Sequence, residues 1–169
     1  MTKSIIYSEK VIGALQIIFG TFVLFVFFFG LKNLYELGIT YYHLTWEKIS
    51  ILRVIRIYHA EFIFGTLIII SGLLLLLNKK SGWMLTVITS FVTGMLGGIS
   101  LLNLYFIPGK VESNKTETTV LDLIILVVFF SISFILLSKP FKTKYNPTKR
   151  TWYTIIITVA LLLGDKMFF

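Results

Sequence analysis

Polar and charged side chains fall in a few short intervals of the sequence, and apolar runs occupy the stretches between them. Val11 to Leu31 carries no charge, and Gln16 is its strongest polar side chain. Phe62 to Leu77 follows, then Trp83 to Ile107, Val120 to Leu137, and a shorter run near Trp152 to Gly164. A spanning helix needs roughly 20 apolar residues, so the pattern predicts an all-α, polytopic helical membrane protein. It would have four long transmembrane helices, at about 11–31, 62–77, 83–107, 120–137, and a short fifth helix at 152–164. The whole of 1–169 reads as one integral membrane domain, with 32–61 as an outer connecting segment. That segment is apolar without a clean period, which predicts an interfacial helix or an extension of the second helix. The first run is too long for a signal peptide, whose apolar stretch is about 7–15 residues, so it reads as an uncleaved span.

The punctuation is local. Asn78-Lys79-Lys80-Ser81-Gly82 predicts a tight hairpin between the second and third runs. Thr119-Val120-Leu121-Asp122 has capping-box spacing and predicts a helix start. Asn146-Pro147 reads as a cap with proline at the first helical position.

Composition agrees with the pattern. Hydrophobic residues make up 56% of the 169 and charged residues 14%, with a mean hydropathy of +0.88. A soluble domain carries about 25% charged residues, which excludes an ordinary water-soluble globule. Cysteine is absent and histidine occurs twice, so disulfides, thiolate chemistry and iron–sulfur ligation are excluded. No catalytic residues, cofactor or metal site are expected. Three alanines beside abundant Ile, Phe, Lys and Asn point to an AT-rich bacterium and its inner membrane.

Charge sets the expected orientation. With a cytoplasmic N-terminus, nine basic residues and Glu9 lie inside, and seven basic and seven acidic residues lie outside. The loop 138–151 holds five bases and no acid, the stronger local sign under the positive-inside rule. Trp83 and Trp152-Tyr153 fit an aromatic belt on that side.

Three groups are candidates for function. On the third helix, Thr86, Ser90, Thr93, Gly97 and Ser100 fall on one helical face, with Gly94 and Gly98 beside it; such stripes serve close helix packing, or alternatively line a path. Gly13/Gly20 and Gly65/Gly72, each seven apart, read as packing positions too. They lie within a faint internal echo at an offset of 52. His59, Glu61, Asp122 and Asp165 sit at outer span ends and form a possible polar cluster, for a cation or acid–base work. Arg53, Arg56 and His59, three apart, read as snorkelling side chains. Lys139, Lys142, Lys144, Lys149 and Arg150 predict contact with anionic lipid at the cytoplasmic surface; nucleic acid is not expected as a partner. No ionisable residue lies mid-span, which argues against proton-coupled transport. The expected function is therefore non-enzymatic: a subunit or partner-binding component of a membrane assembly, or a self-associating one. The alternatives are a small transporter or channel using the third helix, and a lipid-active enzyme using the outer carboxylates.

Overall fold

A computed structural model describes residues 3–42, 51–106 and 115–168, with backbone only at 34–35, 37–42, 51–58, 60–61, 104–106, 115–117 and 165–168. All elements among the described residues are α-helices: α1 (Lys3–Tyr42), α2 (Ile51–Leu76), α3 (Lys80–Phe106), α4 (Lys115–Leu136), α5 (Lys139–Tyr145) and α6 (Lys149–Phe168). Three stretches are long and apolar enough to cross a membrane: Lys3–Asn33, Lys80–Asn103 and Thr118–Leu136. The expected second span appears as a shorter apolar stretch, Phe62–Leu76, of the longer helix α2. Many large apolar side chains face outward, among them Phe22, Phe25, Phe28, Phe134, Ile156 and Leu161. Water would not tolerate so much continuous apolar surface, whereas lipid would.

The third helix is the hub. Half of its spanning stretch is buried, against 22% for α1 and for α4. It packs against α2, α4 and α6, while α1 lies along α2. Its greater burial fits the many small residues of α3, since they let three neighbours approach one helix closely.

Glycines set the closest approaches. A Cβ on Gly72 would lie 2.6 Å from the Gly13 carbonyl oxygen, and one on Gly20 would lie 2.9 Å from that of Gly65. The two seven-residue glycine pairs therefore meet antiparallel across the α1–α2 seam, Gly13 with Gly72 and Gly20 with Gly65. The echo of 52 residues is thus the matching pattern of two packed faces.

The α2–α3 hairpin is as tight as expected. Asn78 takes a left-handed conformation at φ 54°, one that asparagine tolerates. Its N–H donates to the Leu75 carbonyl and that of Lys79 to Leu74, at 2.9 and 3.0 Å, closing the end of α2 in a Schellman motif. The third helix then starts at Lys80, and a Cβ on Gly82 would run into the backbone at Leu74 and Leu75.

Several local expectations are corrected. The connection 32–61 is helical at both its ends, because α1 runs on to Tyr42 and α2 begins at Ile51; the second of these matches the expected extension. Helix α4 begins at Lys115, so Thr119–Asp122 lie inside it rather than at a cap. Asn146 does not start α6. It closes α5 in a left-handed conformation, its N–H donating to the Lys142 carbonyl. The start of α6 is capped by Thr148 instead: its hydroxyl accepts from the Thr151 N–H at 3.3 Å, while its own N–H donates to the Thr151 hydroxyl at 3.2 Å.

Candidate functional site

Alternate helix ends converge at one pole of the bundle: the start of α1, the α2–α3 turn, and α5 with the start of α6. This pole holds the basic residues at 3, 10, 79, 80, 139, 142, 144, 149 and 150, with Glu9 as its single acid. Glu9 is 2% exposed. Its carboxylate accepts from the Lys144 ammonium group, and from the Tyr145 hydroxyl at 2.8 Å. Lys144 also donates to the Asn78 side-chain oxygen at 2.8 Å, so one ammonium group joins α1, α5 and the α2–α3 turn. Burial, reinforced by hydrogen bonding to Glu9 and by its charge, pushes the Tyr145 phenol well above its ordinary value. Tyr145 therefore remains a neutral donor across the physiological range.

The helix that carries these groups is short, yet it is firmly seated. Pro140 opens α5, where a missing N–H costs nothing. Phe141 and Tyr145, four residues apart, share one face and are both buried. Trp83 stacks on Tyr145 with centroids 5.7 Å apart, and its indole N–H donates to the Leu136 carbonyl at 2.9 Å. Trp83 is thus a core residue with no exposed surface, not part of an interfacial belt. Trp152 meets it edge-on at 6.2 Å.

The five bases expected to touch lipid therefore divide. Lys144 is turned inward to Glu9. Lys139, Lys142, Lys149 and Arg150 are exposed. Sequence reasoning passed over Glu9. The available signal was its isolation, because a lone acid among nine bases will find one of them.

Deeper in the bundle lies a neutral polar chain. The Gln16 side-chain N–H donates to the Ser90 hydroxyl at 2.7 Å. The Ser71 hydroxyl lies 3.5 Å from Gln16 Oε1 and 3.4 Å from the Thr89 hydroxyl. Thr86 donates to the Gly82 carbonyl of its own helix and reaches the Ser71 carbonyl at 3.3 Å. Thr93 donates to the Thr89 carbonyl. The small-residue face of α3 thus serves three neighbours: Thr86 meets α2, Ser90 meets α1, and Gly97 meets α4, where its Cβ would lie 3.1 Å from the Asp122 carbonyl oxygen. Ser100 is half-buried.

Gly94 and Gly98 border a different feature. With Met95, Ile99, Leu101, Leu102, Leu126 and Phe130 they line an apolar groove of 590 Å³ on the α3–α4 flank.

The expected outer cluster is only partly within the described residues. His59 is half-buried. Asp122 is 9% exposed, and its Oδ2 has no hydrogen-bond partner among the described residues. The side chains of Glu61 and Asp165 lie outside the described residues. Among the described residues no three His, Asp or Glu side chains gather as a metal site would require. Comparison with family models, with curated proteins and with solved structures finds no match to this chain.

Proposed function

We propose that the chain is a multi-pass, non-enzymatic membrane subunit, its N-terminus in the cytoplasm of a bacterial cell, that seats a transmembrane helix of a partner protein in the α3–α4 groove. The observation that carries this reading is the groove itself: apolar, open on the flank, and lined by Met95, Ile99 and Leu102 of α3 with Leu126 and Phe130 of α4; Gly94 and Gly98 let those two α4 side chains pack close. A helix laid along the groove would gain the van der Waals packing that drives association in lipid. The partner segment is accordingly an apolar helix with small residues on its contact face. Thr86, Ser90, Thr93 and Gly97 are engaged within the chain, whereas the groove opens on the flank.

The absence of cysteine makes the test clean. Single cysteines at Leu102 in the groove and at Phe134, exposed on α4, are cross-linked in native membranes. The expected result is one discrete adduct from Leu102 alone, lost in a Gly98→Leu background, with the cross-link mapped to a transmembrane segment of the partner. An adduct of twice the chain's mass makes that partner a second copy. Equal labelling at both positions, or an adduct indifferent to Gly98→Leu, contradicts the reading.

A further inference from the structure

We infer that the elbow between α5 and α6 is a binding site for a phosphate group, supplied by the headgroup of an anionic lipid. The elbow forms a cleft of 730 Å³ lined by Lys139, Lys142, Thr143, Asn146, Pro147 and Trp152. Its construction follows from the helix that makes it. Phe141 and Tyr145 anchor one face of α5 in the core. At 100° per residue, Lys139, Lys142, Thr143 and Asn146 fall together on the opposite face, and all four are exposed. Trp152 forms the far wall. Trp83 fixes its ring from one side, and Lys142 Nζ lies 5.5 Å from its centroid. The Lys80 ammonium group donates to the Asn146 carbonyl at 2.7 Å, bringing a third positive charge to the rim.

What marks the cleft as a site is that its charge has no counterpart. The sequence holds no acid between Asp122 and Asp165. Glu9, the only acid of this pole, is buried and taken by Lys144 and Tyr145. Among the described residues Lys139 and Lys142 therefore pair with no carboxylate, while Lys144, the third lysine of α5, does. A phosphate oxygen accepts readily from ammonium and amide donors, which Lys139, Lys142 and the Asn146 side chain supply. A tryptophan wall at the end of an apolar helix suits a ligand that is polar at one end and apolar at the other. Those features fit a lipid headgroup better than a soluble ion.

The test uses the full chain purified in detergent, with ligand occupancy read by native mass spectrometry. Dioctanoyl phosphatidic acid, dioctanoyl phosphatidylcholine and inorganic phosphate are titrated separately. Phosphatidic acid should bind and phosphatidylcholine should not. The double variant Lys139→Gln/Lys142→Gln should weaken phosphatidic acid binding by about tenfold or more, given ~1 kcal/mol per basic residue near a charged surface. Lys142→Arg should restore most of it. The charge-matched double variant Lys3→Gln/Lys10→Gln, on the same pole but outside the cleft, should stay within about twofold. Inorganic phosphate binding with the same dependence on Lys139 and Lys142 supports the site and names free phosphate as its source. Equal losses in the two double variants, no loss in either, or no phosphate compound bound at all, overturns the proposal.

Discussion

Near its start, α1 is held to α5 by a buried carboxylate, an ammonium group and a phenol; one and two turns further along, at Gly13 and Gln16, the same helix is held to α2 and α3 by bare backbone contact and neutral hydrogen bonds. The difference follows from what each depth can offer a polar group. At the pole, lysine is plentiful and water is close, so a charge that becomes buried can be paired. Within the apolar stretch there is no charge to pair with, and cohesion depends on glycines that let helices touch. One consequence is that a mutation of similar size should do unequal damage in the two regions.

The pole should give the largest effect. Lys144→Met leaves Glu9 buried without its cation and should cost about 3–5 kcal/mol, as breaking one side of a buried pair does. The double variant Glu9→Gln/Lys144→Met should recover much of that loss. Unfolding of all variants in mixed detergent micelles gives the coupling. If the double variant loses the sum of the two single losses, the two side chains act independently and the comparison fails.

The seam comes next. Gly72→Leu forces a side chain into a site where a Cβ already falls 2.6 Å from the Gly13 carbonyl, and overpacking should cost about 1–3 kcal/mol. Gly97→Leu, with 3.1 Å to the Asp122 carbonyl, should cost less than Gly72→Leu. It should still exceed Leu96→Ala, which trims a half-buried side chain. If Gly97→Leu left the melting temperature unchanged, α3 would be lining an open path instead of packing.

Smaller again is the neutral network. Interhelical hydrogen bonds in membranes are worth about 0.6 kcal/mol on average, so Gln16→Leu should cost less than breaking either the ion pair or the glycine contact. A loss as large as that of Lys144→Met would show that the network, not the pole, anchors α1.

The mildest expected effect is a pH dependence. The folded state raises the Tyr145 phenol above its ordinary value of 10.0, so the unfolded chain releases that proton first. The resulting contribution to stability is complete below pH 10 and is lost as pH climbs beyond it. Wild type should therefore lose more melting temperature on passing pH 10 than Tyr145→Phe does.

How much of this was legible in the sequence depends on the range of the interaction. The Asn78–Gly82 hairpin and the paired glycines are local signals that appear in the form expected, and three of the four long apolar runs appear as stretches long enough to cross a membrane. Helix α5 was hidden because its two anchors, Phe141 and Tyr145, are outnumbered by lysines and preceded by Pro140, so the segment reads as a basic loop. The Glu9–Lys144 pair joins residues 135 positions apart, and no window along the chain contains both. Trp83 was misplaced for the same reason. It follows Lys79, Lys80 and Ser81 in the sequence, but its neighbours in space are Tyr145, Trp152 and Leu136. Asn146 caps the end of α5 instead of the start of α6, and Thr119 lies inside α4.

The central claim is that α3 crosses the membrane as the hub of the bundle, with the basic pole in the cytoplasm. It is tested most directly by paired reporter fusions after Lys80 and after Lys115, one active only in the cytoplasm and one only outside it. The account predicts a cytoplasmic signal after Lys80 and an external one after Lys115. Signals from the same side at both positions would contradict it.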